Sequence, residues 1–154
     1  MTTGVAQLKY GYIKGGEVSI DGYWTAAQTV RQQSGRFVYL DGAGRCTLSA
    51  DAVTTIWGHA DYPGDDAVSA DDPVNVNISL DAIYRIPVNS GVYVKAMIGD
   101  TCDISIDGTT QGAQLDASAE NTLLVVGGDL VSSAWVDVKI NPAKMVGTGD
   151  GVED

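Results

Sequence analysis

The chain has 154 residues, enough for one domain that buries a core without disulfides or metals. Twenty acids against nine bases give a formal charge of −11, which excludes the basic face that a nucleic-acid partner needs. No apolar run reaches the roughly 18 residues of a membrane span and no secretory leader is visible, so neither a membrane nor export is expected.

The chain opens on a glycine-interrupted aromatic stretch, YGYIKGGEVSIDGYW (10–24). Residues 1–50 hold five bases and three acids, whereas the remainder holds four bases and seventeen acids. Tyrosine and tryptophan are enriched where proteins meet partners. An N-terminal arm over residues 1–35 is therefore expected, with Tyr10, Tyr12, Ile13, Tyr23 and Trp24 as candidate contacts. The first hairpin of a barrel is the plainer reading of the same residues. TAAQTVRQQ (25–33) reads as a short helix or a polar arm.

Strand patterns dominate after that. FVYL (37–40), RCTLS (45–49) and TLLVV (122–126) are short apolar runs. VNVNISL (74–80), GVYVKAMI (91–98) and WVDVKI (135–140) alternate apolar and polar side chains, as half-buried strands do. Asp21-Gly22, Asp41-Gly42 and Asp107-Gly108 fall between extended runs, where tight hairpins are expected. The expected fold is all-β: a small β-barrel, β-tulip or sandwich over residues 36–146. GTGDGVED (147–154) reads as a flexible acidic tail.

Candidate chemistry is sparse. In DISIDGTTQGAQ (103–114), Asp103, Ser105, Asp107 and Gly108 fall where a calcium loop has its first, third, fifth and sixth positions. Its twelfth position, however, is the neutral Gln114. The alternation with Cys102, Ile104 and Ile106 argues instead for a strand whose acids face outward, ending in a hairpin turn. DYPGDDAVSADDP (61–73) carries five aspartates and reads as a solvated loop. His59 is the single histidine and reads as a satisfied strand residue rather than a base. Cys46 and Cys102 fit no metal or redox spacing and read as buried thiols, with a mutual disulfide as the other reading. No nucleophile elbow or phosphate loop is present. No catalytic, cofactor or metal residues are assigned. Trp24, Trp57 and Trp135 read as core anchors, the other possibility being a sugar-stacking platform.

Five segments in order, GAGRCTLSADAVTTIWGHAD (42–61), AIYRIPVNSG (82–91), AMIGDTCDISIDGTTQGAQLDAS (96–118), LLVVGGD (123–129) and WVDVKINP (135–142), resemble the head-decoration, or cement, proteins of tailed bacteriophages. They span about the last two-thirds of the chain; residues 1–35 match no motif of that family. The resemblance implies a small β-barrel or tulip-like domain without enzymatic activity, forming homotrimers on the outer capsid surface after assembly in the host cytoplasm. It also implies an N-terminal portion that contacts the major capsid protein or an adjacent decoration subunit. A carbohydrate-binding or adhesion module is the alternative reading.

Overall fold

The computed structural model describes residues 10–25, 35–50, 53–60, 71–108 and 110–145. The expectations for residues 26–33, for 61–70 of the acidic loop and for the 147–154 tail lie outside the described residues. The protein is all-β. In chain order the strands are β1 (Gly11–Lys14), β2 (Ser19–Tyr23), β3 (Arg36–Leu40), β4 (Cys46–Leu48), β5 (Gly58–Ala60) and β6 (Pro73–Asn77). They continue with β7 (Ile83–Ser90), β8 (Thr101–Asp107), β9 (Thr110–Gln114), β10 (Leu123–Gly128) and β11 (Trp135–Ile140).

Two sheets result. The larger runs β1-β7-β11-β10-β8-β9, and β9 returns to pair in parallel with β7, so five of its strands close on themselves. The smaller runs β2-β6-β5-β3-β4. A parallel bridge between Trp24 and Cys46, with Thr25 N–H donating to the Cys46 carbonyl at 3.0 Å, draws its two edges together. Both sheets are thus barrel-like, and closure removes most of the free edge that an open sheet would expose.

Alternation decides what fills each interior. Val136, Val138 and Ile140 of β11 point inward and meet Leu123, Val125, Cys102 and Ile104 across the larger barrel. Trp135, Asp137 and Lys139 point away, as the period-two pattern requires. The smaller interior holds Trp24, Val38, Cys46, Ala60, Val74 and Val76. The two cysteines therefore lie in different cores as free, buried thiols.

The barrels meet at β3. Phe37 points into the larger core, where its ring stands edge-on to Tyr84 at 5.1 Å and to His59 at 4.9 Å. His59 stacks on Tyr84 at 4.3 Å. Gln111 of β9 completes the junction with its side-chain amide. Its Nε2 donates to the carbonyls of Phe37 and Ser49, each at 2.9 Å, while its Oε1 accepts the Phe37 N–H at 2.7 Å. A buried side chain here does what a neighbouring strand would otherwise do.

Four expectations are corrected. Asp21-Gly22 is no hairpin turn: it lies within β2, paired with Asn75 and Val74. Glycine is required because a Cβ there would stand 2.9 Å from Cys46 Sγ. GVYVKAMI is not a strand but a loop with a 3-10 turn at Lys95–Met97. β7 is already paired on both flanks, and burying the Tyr93 ring against Gly128 leaves the flanking valines in solvent. Asp103 does not face outward into water; it is buried beneath residues 119–121. The described part of the N-terminal extension is integral, since β1 pairs with β7 and β2 with β6. The other two Asp-Gly pairs do turn hairpins, β3 to β4 and β8 to β9.

Replacing Gln111 with Leu fills similar space but strands the Phe37 N–H and the Ser49 carbonyl. Burying two unpaired backbone groups costs about 2–4 kcal/mol. Urea unfolding should show that loss as a lower midpoint with an unchanged slope.

Candidate functional site: an aliphatic crest beside an open pocket

The five N-terminal contact candidates do not share a surface. Tyr10, Tyr12 and Ile13 belong to the β1 edge of the larger sheet and are half-buried. Tyr12 sits opposite Tyr84 in register, its ring edge-on at 6.1 Å. Burial raises the Tyr10 hydroxyl above its ordinary pKa; the nearby Arg85 pulls it down and Asp129 pushes it up. Tyr23 is 51% exposed on β2, in the other sheet. Trp24 is the clear correction: it is fully buried in the smaller barrel, with the Arg36 guanidinium 5.7 Å from its ring centroid, and is no surface contact. The chain separates the two groups at Gly15, where φ is +98° and a Cβ would collide with the Asp81 carbonyl.

The remaining sequence candidates resolve as structure. Asp103 accepts backbone N–H bonds from Ala119, Glu120 and Asn121 at 2.8–3.0 Å. Burial pushes its pKa up, but hydrogen bonds from Glu120, Asn121 and Ala119 outweigh it and hold the carboxyl below its ordinary value. Ser105 is bonded to Asn89, and Asp107 stands exposed at the hairpin turn. These oxygens do not converge on a common point as a calcium loop requires. Among the described residues no three His, Cys, Asp or Glu side chains are grouped to hold a metal. Burial pushes the Cys46 thiol up to about 11 and the Cys102 thiol up to about 12, the opposite of an activated nucleophile.

Sequence reading missed the most distinctive surface. The loop between β7 and β8 and the loop between β10 and β11 stand side by side at one end of the larger barrel. They are joined where the Tyr93 N–H donates to Ser133 Oγ at 2.9 Å. Together they expose Val92 (67%), Val94 (48%), Ile98 (50%), Leu130 (65%) and Val131 (96%). The Asp129 carboxylate orders the second loop. It accepts N–H bonds from Val131, Ser132 and Ala134 at 3.0–3.3 Å and the Ser132 hydroxyl at 2.7 Å. Those bonds, the Ser132 hydroxyl first, lower its pKa to about 2. The available signal was LVSSA directly after an aspartate: aliphatic residues inside a capped polar turn have no local reason to be there.

Beside this crest opens a cavity of about 390 Å³. The buried Cys102 and Val125 form its base, and Met97 and Leu115 its apolar sides. Asp100 and Asp116 are exposed at its mouth. On the outer face of the larger sheet Arg85 makes paired hydrogen bonds to Asp137 at 2.8 and 3.0 Å and covers the Trp135 ring at 3.7 Å. That arrangement occupies one face of the indole.

His59 is enclosed by Phe37 and Tyr84, and burial, with the Arg36 charge second, drives its pKa down to about 3. The unfolded chain takes up this proton near pH 6.5, the folded chain only near pH 3. The unfolded state therefore binds the extra proton between those values. Stability should fall as pH drops through that window, by up to about 1.4 kcal/mol per pH unit. Urea midpoints measured from pH 7 to pH 4 should show the decline, and His59→Phe, which keeps an aromatic ring on Tyr84, should flatten it.

Compared with known proteins, the chain matches no family model and no curated sequence.

Proposed function

We propose that this chain is a structural virion protein. In this reading it docks on the outer surface of an assembled capsid and cements the major capsid protein subunits, working as a homotrimer. The observation that carries the proposal is the crest, as the contact that assembles the homotrimer, with the exposed Tyr23 left for the capsid. Five exposed aliphatic side chains stand on hydrogen-bonded loops, on a chain whose net charge is −11. Exposed apolar side chains grouped in this way mark a surface made for apposition to another protein. The likeness of segment order to phage decoration proteins supplies the kind of partner, and the acidic body suits an outward-facing shell position.

The rival readings find less support. A hydrolase working through His59 would need that ring in solvent, yet it is stacked in the junction between the barrels. A glycan platform would need bare indoles. Trp24 is buried, Trp57 packs on the smaller core, and Trp135 carries the Arg85 guanidinium.

The mechanism is mass action. A subunit that bridges capsid proteins only in their expanded arrangement stabilises that arrangement by RT ln(1 + [L]/Kd), about 2.7 kcal/mol at a hundredfold excess over Kd. Capsid docking falls to the exposed Tyr23 and the N-terminal residues in the less acidic first third.

Co-sedimentation with undecorated shells tests this. Binding is expected to expanded shells and not to unexpanded ones, and shells that bind should rupture at higher temperature. Tyr23→Ala and removal of residues 1–9, which spares β1, should each weaken binding at least about tenfold, or 1.4 kcal/mol. A folded protein that leaves expanded shells bare at saturating concentration overturns the proposal.

A further inference from the structure

The crest and the cavity are two halves of one contact. We propose that Leu130 and Val131 of one copy insert into the cavity of a second copy, so that three chains close head to tail into a ring. This inference rests on the trimeric reading above and assigns the surface that builds it.

Four observations carry it. The first is shape. Val131 is almost wholly exposed at the tip of the β10–β11 loop, with Leu130 beside it, while the same chain offers a cavity of about 390 Å³. Met97, Cys102, Leu115 and Val125 supply its apolar lining, and Thr101, Ser118 and the two aspartates the polar part. The exposed aliphatic side chains and the half-buried Met97 and Leu115 walls of the pocket each leave apolar surface in water that mutual insertion removes. The second is placement. Knob and cavity lie at the same end of the larger barrel as separate patches, with β10 the one strand common to both through Val125 at the cavity base. The knob tops β10 and β11, whereas the cavity lies between the start of β8 and the chain leaving β9. A knob and a hole that are different patches make a heterologous contact, and the homotrimeric reading sets the rotation that closes it into a ring rather than a filament.

The third observation is rigidity. Asp129 fastens the knob loop with four hydrogen bonds, so little freedom remains to be lost when the knob is buried. The fourth is charge. Chains carrying −11 repel one another, so a contact between copies needs an uncharged or oppositely charged patch to meet the acids of its partner. The segment from Leu130 to Ala134 carries no charge, and the Asp129 carboxylate before it is taken up by its own loop. Lys95 is the sole base between Ser90 and Ala134, and it lies on the crest, the complement to the Asp100 and Asp116 carboxylates at the cavity mouth.

Sedimentation equilibrium of the purified full chain over a concentration series tests the contact. Wild type should approach the mass of three chains. Val131→Asp, which changes a side chain in open solvent, and Ala117→Trp, which obstructs the cavity, should each raise the dissociation constant at least about a hundredfold. Circular dichroism and urea midpoints of the two variants should match those of wild type. The decisive arm mixes them. Val131→Asp keeps an intact cavity and Ala117→Trp an intact knob, so together they retain one working contact and should form a 1:1 pair that grows no further.

A wild-type mass of one or two chains overturns the inference, as does a trimer that survives both substitutions or variants that fail to pair. Shell binding is scored separately. Trimers that ignore shells overturn the capsid reading and leave this contact standing; shells bound by chains that never trimerise in solution do the reverse.

Discussion

Phe37 holds the two barrels together. Its ring enters the larger core against Tyr84, while its backbone remains a rung of the smaller sheet, paired with His59 of β5. One residue thus has its side chain in one barrel and its main chain in the other. Such a crossing leaves backbone polar groups facing away from their own sheet, and a buried unpaired group costs about 1–3 kcal/mol. Gln111 meets that demand by presenting an amide to the Phe37 N–H and carbonyl. The stack of His59 on Tyr84 depends on the same arrangement, which is why the only histidine is neutral and enclosed.

The acidic residues have a second role beyond net charge. Asp41, Asp103 and Asp129 each turn a carboxylate onto the backbone N–H groups of a neighbouring loop. The Thr25 hydroxyl on Asp41, the Ser132 hydroxyl on Asp129 and, against burial, the Glu120 hydrogen bond on Asp103, each joined by backbone donors, favour the ionised form, so all three carboxyls sit below their ordinary pKa. An acidic chain with few lysines here uses aspartate where another protein would use a helix or a metal to order its loops. The Asp129 loop is the functional consequence. A loop this exposed would otherwise be free to fold its aliphatic side chains back, and the carboxylate clamp holds Leu130 and Val131 outward.

Repulsion and apolar attraction then divide the surface. Most of the body is acidic and resists association, whereas the crest presents uncharged aliphatic side chains and Lys95, which a second chain's acidic cavity mouth can approach. Bridging function in the proposed reading follows from this division. One region joins like copies, and the less acidic N-terminal third faces a different partner.

Much of the fold was legible because period-two alternation is a local property. WVDVKI alternates for the same reason in the sequence as in β11: one face of the sheet is dry and the other wet. The hairpins at Asp41-Gly42 and Asp107-Gly108 were legible too, since their turn chemistry sits within a few residues. GVYVKAMI carried the same alternation yet is a loop, because whether a strand forms there depended on a free neighbouring edge, and β7 has none left. Asp21-Gly22 carried turn chemistry yet lies in a strand, because its glycine answers to Cys46, distant in sequence. Local pattern was enough for the all-β class, the inward valines of β6 and β11 and the net acidic charge. Only the three-dimensional pairing settled which of its two readings Trp24 takes, core rather than contact, and decided that Val131 is exposed, that Asp103 caps a loop, and that crest and cavity share one end of a barrel. Each of those is set by which strands pair across long separations, and pairing partners leave no mark in the local pattern.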